Sequence, residues 1–192
     1  MAKGAPNVRY AEVDRETAHT KVHLVLDLEG GTRRDVSTGI PTFDDLLSDL
    51  ARYAGLDLGV SVEADVTAGD HHVVEDVGSA FGRAIRMCLQ DSDNVVGAGD
   101  CTLPSSDALV LTAIDILGRP FLGWEVAFKR DWIGALATEN VEQFFRAMAD
   151  QGSFSIHVRR LAGENDVHLC EAVFRSFGRS LHTSTRKQNG AS

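Results

Sequence analysis

The chain has 192 residues, with 28 acidic against 19 basic side chains for a net charge of −9, and 43% of its residues are apolar. That size suits one domain, or two small halves sharing a core. The acidic balance argues against a general nucleic-acid surface, which needs concentrated positive charge, and leaves anionic small molecules to local arginine clusters. No apolar stretch is long enough to span a bilayer and no charged-then-apolar leader is read, so no membrane partner is expected. Cys88, Cys101 and Cys170 lack paired spacing and read as reduced thiols of a cytoplasmic protein.

In chain order, residues 1–8 read as a loose tail and 10–28 as a half-buried strand. A turn at Glu29-Gly-Gly-Thr leads to a returning strand over 33–38. Residues 41–53 predict a helix, with Phe43, Leu46, Leu47 and Leu50 on one face. A strand over 58–66 and a helix over 71–89 follow, the latter with Val74, Val77, Phe81, Ile85 and Cys88 inward. Strands are expected over 108–116, 121–128 and 154–159. Helices are expected over 140–149, with Val141, Phe144, Phe145 and Met148 inward, and over 168–181. The unit reads as strand-strand-helix-strand-helix, twice. That is an α+β layer architecture of two duplicated halves, each a mixed sheet with helices on one face. The halves are placed at 9–95 and 96–182, with a flexible tail at 183–192.

A repeat supports the duplication. His72, Glu75, Val77, Phe81, Gly82 and Arg83 recur as His168, Glu171, Val173, Phe177, Gly178 and Arg179, at a constant offset of 96 residues. Each copy starts a helix with His-x-x-Glu. Residues three and four apart are neighbours on one helical face, so His72 and His71 both lie beside Glu75. His71 and His72 point about 100° apart and can serve different partners. The free N–H groups of a helix start disfavour protonated histidine and so favour the imidazole form that binds metal. Such a trio can equally cap a helix, but its recurrence favours metal. Asp70 and Asp76 are candidate acceptors that orient the imidazoles.

In the second copy Val167 occupies the slot of His71, and Cys170 is either a thiolate donor or a buried side chain. His157 faces away from the apolar layer of its strand; His23, also in a strand, and His19 have no use specified locally. Arg119, between Gly118 and Pro120 at a strand end, could clamp a phosphate or carboxylate. Arg175, Arg179, Arg186 and Lys187 add positive charge near the last helix, most of it solvated surface. Asp107 caps the next element or meets a substrate hydroxyl.

The stretches Arg15-x-Thr-x-x-Thr, Thr38-Gly-Ile, Phe43-Asp44 and Asp70-His-His-x-Val-Glu-Asp-Val-Gly are joined by Ile114-Asp-x-x-Gly-Arg-Pro, Val141-Glu-x-Phe-Phe and Asn165-x-x-His-x-x-Glu-Ala-x-Phe. Together they resemble the imidazoleglycerol-phosphate dehydratase family over nearly the whole chain. The resemblance implies a duplicated fold like that of ribosomal protein S5 domain 2, a 24-subunit homo-oligomer, and two manganese ions at subunit contacts. It also implies removal of water from a phosphorylated imidazole glycerol in histidine biosynthesis. On this reading His71, His72, Glu75, His168 and Glu171, with Asp45, are the metal ligands for one or two manganese ions, or zinc. His19, Glu75, Asp107 and Glu171 carry proton transfer or substrate contact, and Arg119, Arg175 and Arg179 hold the anionic group.

The departures from the family fall on functional positions. The family has Glu at His19, His at Asp45 and Tyr53, the first His of a second pair at Val167, and a phosphate-meeting Arg at Gly97. Its Met-Asp-Glu reads Ser105-Ser106-Asp107, its Ser before Gly118 is Leu117, and its Lys at the last helix is Arg175. Carboxylate and imidazole can exchange as ligands at positions 19 and 45. Gly97 and Val167 remove a contact outright. Two alternatives therefore stand beside the dehydratase reading. One is a repurposed paralogue with other metal chemistry on a small polar substrate; the other is a non-catalytic oligomeric protein.

Overall fold

The computed structural model describes residues 9–65, 69–90, 94–116 and 118–188. The first half comprises β1 (Tyr10–Glu16), β2 (Thr20–Asp27), β3 (Arg34–Ser37), α1 (Pro41–Ala54), β4 (Asp57–Ala64) and α2 (Asp70–Leu89). The second comprises β5 (Ala98–Ser105), β6 (Ala108–Asp115), β7 (Phe121–Glu125), a small hairpin β8 (Trp132–Ile133) and β9 (Leu136–Ala137), α3 (Thr138–Gly152), β10 (Ser155–Ala162) and α4 (Asp166–Thr185). The sheet orders β1-β2-β4-β3 and β5-β6-β10-β7 have the same topology. In each, the last edge strand is the parallel one: β3 beside β4, and β7 beside β10. Among the described residues no helix is long and apolar enough to cross a membrane.

The halves join through their helices, so the layers run sheet, helices, helices, sheet. α2 packs on α3, and α1 on α4. Both pairs are parallel: Gly78 and Gly82 meet Phe144 and Met148, while Asp49 and Ala54 meet Arg175 and His182. The recurring glycine makes this approach possible. A Cβ on Gly178 would stand 2.5 Å from the Leu50 carbonyl oxygen, and one on Gly82 would overlap that of Met148. All the apolar residues expected on the inner faces of α1, α2 and α3 are buried. Phe144 is the hub, 5.3 Å from Phe43, 5.4 Å from Phe174 and 6.4 Å from Phe81 between ring centroids. One aromatic from each helix therefore meets in the core.

Within each half the helices also run alike. α1 joins the parallel neighbours β3 and β4, so it returns antiparallel to them. α2 follows β2, from Thr20 beside Asp76 to the Leu26 carbonyl beside Cys88. α4 follows β6, from Asp107 beside His168 to Thr112 beside Ser176 and Ser180. All four helix N-termini therefore lie at one end of the molecule.

Several sequence expectations are corrected. The single strand over 10–28 is a hairpin. Its turn carries no Gly or Pro; the Thr17 hydroxyl accepts the backbone N–H of Thr20 at 3.2 Å instead. β3 does not return beside β2 but lies at the far edge of the sheet, because Asp57 accepts the N–H groups of Gly31, Thr32 and Arg33 and draws that loop to the start of β4. β5 was not foreseen; it contains Pro104, which an edge strand tolerates because no ladder donor is lost. The β8–β9 hairpin was not foreseen either, and β7 stops at Glu125. Residues 183–188 are not a loose tail. α4 continues to Thr185, Lys187 bridges Val95, and Arg9 donates to the Thr185 carbonyl. Residues 1–8, 189–192 and Leu117 lie outside the described residues.

Asp76 does not orient an imidazole. It accepts from Arg15 Nε at 2.7 Å, from the Thr17 hydroxyl at 3.1 Å and from the Thr20 hydroxyl, tying the β1–β2 turn to α2. Burial disfavours its charged form, but the Thr20, Arg15 and Thr17 bonds outweigh that and hold its carboxyl below the usual range. A lowered folded value means stabilisation that is complete above the ordinary aspartate value of about 4 and is lost as pH falls through the folded value. Asp76→Ala is expected to cost about 2–3 kcal/mol at pH 7 in chemical denaturation. Its difference from the wild type should narrow below about pH 4; a gap constant down to pH 3 would contradict this account. Gly82→Ala, forced against a backbone oxygen, should lower the melting temperature by roughly 5 °C or more. Gly59→Ala meets only an ordinary 3.6 Å contact with Val25 and should be neutral or mildly stabilising.

Candidate functional site

The shared end of the helices collects most of the expected site residues. At the start of α2, His71 Nδ1 lies 3.1 Å from Asn140 Oδ1 and its Nε2 lies 3.4 Å from Glu75 Oε2. The amide oxygen can only accept, so Nδ1 is the donor. A neutral His71 then turns a lone pair toward a carboxylate, an arrangement that needs a cation between them: a second proton or a metal. His72 stacks on His19 from the β1–β2 turn, with centroids 4.6 Å apart and planes 24° apart.

At the start of α4, His168 Nδ1 lies 2.6 Å from Asp107 Oδ1, which leaves Nε2 open. Metal-binding histidines commonly have this carboxylate-backed arrangement. The imidazole, with the backbone N–H of Asn165, holds the Asp107 carboxyl below its ordinary value. Asp107 also accepts from the Glu164 N–H at 2.6 Å, so it fixes both the ring and the approach to α4.

Glu171 is differently engaged. It accepts from the Ser105 hydroxyl at 2.8 Å and pairs with Arg175 Nη1 at 3.2 Å. Arg175 Nε in turn donates to Asp49 Oδ2 at 2.6 Å. Around Tyr53 near the end of α1, Arg52 of the same helix and Arg175 and Arg179 of α4 lie 4.7, 5.9 and 5.8 Å from the ring centroid. Arg52 also pairs with Asp49, whereas Arg179 makes no ion pair among the described residues.

The first Asp of each helix is structural. Asp70 accepts from the Ala137 N–H at 2.8 Å, and Asp166 from those of Lys129 and Arg130 at 3.0 and 2.8 Å. Asp70 therefore does not orient an imidazole; it and Asp166 pin the segment 129–137 across the end where the candidate clusters lie. Cys170 is fully buried and burial raises its thiol pKa, which leaves no thiolate for a metal. His157 faces out of its sheet, as expected, and lies against Phe121.

Asp45 lies on α1 one turn before Asp49, at the level of Glu171, and makes no hydrogen bond or ion pair among the described residues. Arg119 stands apart. It follows the end of β6, while Asp107 precedes its start, and eight residues of strand separate them by about 25 Å. Asn140, Ser105 and Asp49 were not foreseen. Asn140 and Ser105 carry no spacing signal, and Asp49 offered only its four-residue step from Asp45. Among the described residues no three His, Cys, Asp or Glu side chains converge on one point where a metal could sit. Each helix start supplies one or two well-placed donors.

Comparison with known proteins agrees with this architecture. Residues 38–181 match the profile of the family described as imidazoleglycerol-phosphate dehydratase. The imidazoleglycerol-phosphate dehydratase of Dinoroseobacter shibae is 43% identical over 186 residues, covering 95% of both chains. That of Moorella thermoacetica is 42% identical over 173 residues, 90% of this chain and 88% of the relative. The crystal structure of the Staphylococcus aureus dehydratase superposes with a TM-score of 0.84 at 25% identity, covering 93% of this chain and 99% of that one. The Pyrococcus furiosus enzyme in complex with (S)-C348 gives 0.80 at 28% identity, with coverage of 92% and 94%. A profile match across most of the chain, together with relatives above 40% identity along almost its full length, makes this chain a member of the imidazoleglycerol-phosphate dehydratase family.

Proposed function

We propose that this protein is a metal-dependent dehydratase-type lyase of histidine biosynthesis. It removes water from a small phosphorylated imidazole-bearing substrate and works as a homo-oligomer. The observation that carries the reading is the pair of His-x-x-Glu helix starts at one end of the molecule, with His71 and His168 each held through Nδ1 so that Nε2 is available. His71, His72 and Glu75 of one copy of the chain, with His168 of another, are the donors for manganese or zinc. A divalent ion there would supply positive charge that polarises what it binds and eases loss of a proton.

The protein's own groups divide the remaining work. Asp107 holds His168 in one tautomer and is too acidic to be a good base near neutral pH. His19, exposed and stacked on His72, is placed to carry a proton. Glu75, beside His71, can hold either the metal or that ring's second proton. Arg179 has charge to spare for an anion. Arg175 lies nearer the second copy but is shared with Asp49 and Glu171. Arg119 can reach such a site only on another copy, which agrees with an oligomer whose contacts complete the site.

A second reading is favoured by specific residues. His19, Asp45, Gly97 and Val167 depart from the family pattern, and a repurposed member would bind metal yet leave the family substrate untouched. The deciding measurement is manganese-dependent consumption of imidazole glycerol phosphate, with metal content assayed in the same sample. Turnover supports the dehydratase. Bound metal without turnover selects the repurposed reading. Glu75→Gln should lose the metal and at least about 100-fold in rate. Asp107→Asn should weaken metal binding by about 10–100-fold. Because an imidazole ligates only through an unprotonated nitrogen, affinity in calorimetric titrations should fall on acidification. An affinity flat from pH 8 to 5.5 would count against histidine ligation.

A further inference from the structure

We infer that the two His-x-x-Glu copies have separated in role. The α2 copy, with His71, His72 and Glu75, is a metal site, whereas the Glu171 carboxylate of the α4 copy is an internal counterion, so each chain takes up one divalent ion rather than two. This rests on the metal-dependent reading above and deepens it.

Equivalent positions in the two copies carry different side chains. Four residues after Glu75 the first copy has Ser79, a small buried side chain. Four residues after Glu171 the second has Arg175, whose Nη1 lies 3.2 Å from Glu171 Oε2. Around Glu75 the nearest ionisable partner is an imidazole, His71, at 3.4 Å. An imidazole nitrogen has a lone pair to offer a metal; a guanidinium has none.

Arg175 is also fixed. Asp49 accepts from its Nε at 2.6 Å, which orients the planar fork so that Nη1 points at Glu171, and the Ser105 hydroxyl lies 3.0 Å from the same Nη1. A lysine could swing its single ammonium away, but a guanidinium held at Nε cannot. For Glu171 to ligate a dication, it would have to leave this fork while the ion settled beside a fixed positive charge. The side chains of Arg175 and Glu171 are only 20% and 31% exposed, so water screens that repulsion poorly.

The donor count agrees. Val167 stands where His71 stands in the first copy, which removes a nitrogen, and Cys170 is buried in the core. His168 alone keeps an open nitrogen in the second copy. One imidazole cannot hold a second ion, but it can complete the set begun by His71, His72 and Glu75 of a neighbouring chain.

The test is metal stoichiometry on the intact oligomer. Protein equilibrated with excess manganese and freed of loose ion is assayed by elemental analysis, with calorimetric titration giving the number of sites and their affinity. The wild type should hold about one manganese per chain. Glu171→Gln should keep that ion within roughly threefold in affinity, and Glu75→Gln should lose it. A wild type with two ions per chain, or with none, would overturn the inference. So would a Glu171→Gln protein that loses metal as Glu75→Gln does. A gain-of-site variant guards against simple unfolding. Val167→His with Arg175→Gln restores the missing nitrogen and frees the carboxylate, and should raise the content toward two. A folded double variant that stays at one would refute the roles given to Val167 and Arg175. One ion per chain without turnover of imidazole glycerol phosphate would remove the dehydratase reading and leave the inference standing.

Discussion

The close parallel approach of helices from opposite halves is the constraint on which the rest depends. At Gly78, Gly82 and Gly178 the backbone of one helix reaches the carbonyls of another, with no room for a Cβ. Backbone contact fixes both the spacing and the axial level of each pair. Since the two helices in each half already run in the same direction, pairing them in parallel across the halves brings all four N-termini to one end. The β1–β2 and β5–β6 turns lie at that end too, carrying His19 and Asp107. The candidate clusters are thus a consequence of how the core closes, not a separate construction on the surface.

Duplication gave this fold two equivalent helix starts, and their surroundings differ in the one property that matters to a cation, the local balance of charge. At α2, the histidines and Glu75 have no arginine partner among the described residues, and Asp70 and Asp76 are spent on a backbone N–H and on the Arg15–Thr17–Thr20 group. At α4, the same geometry meets Arg175 and beyond it the guanidiniums around Tyr53. Identical backbones can therefore host opposite electrostatics, and the fold alone does not say which copy works on a metal.

Much of this was legible in the residues. The repeat announced the duplication, because the same Phe-Gly-Arg must satisfy the same helix crossing twice. Apolar periodicity placed the first three helices, since burial of one face leaves a 3.6-residue mark, and the repeat placed the fourth. Strand pairing was harder. The β1–β2 turn is built by a threonine hydroxyl, not by Gly or Pro, and β3 is carried away from its neighbour by Asp57, which local pattern cannot reveal. The candidate donors were visible from spacing, but their surroundings were not. Whether Glu171 is a free ligand or a counterion is decided by Asp49 on another helix, 126 residues away from Arg175 in the chain. Asp76 shows the same limit: it reads as an acceptor for imidazole and is in fact the anchor of a turn.

If the metal sits between copies, as proposed, binding and assembly become one equilibrium. Among the described residues of one chain no three donors meet at a point, so the affinity of the ion is then expressed only when chains meet, and it adds to the stability of the contact. The charge of the chain sharpens this coupling. At −9 per copy, bringing many copies together builds up repulsion, and a dication at each contact offsets part of it locally. A side chain that trades a ligand for an internal ion pair, as Glu171 does, gives up some of that linkage but secures α1 against α4 whether or not metal is present. The second copy would then hold the framework in place while the first responds to the ion, a division of labour that two identical copies could not make.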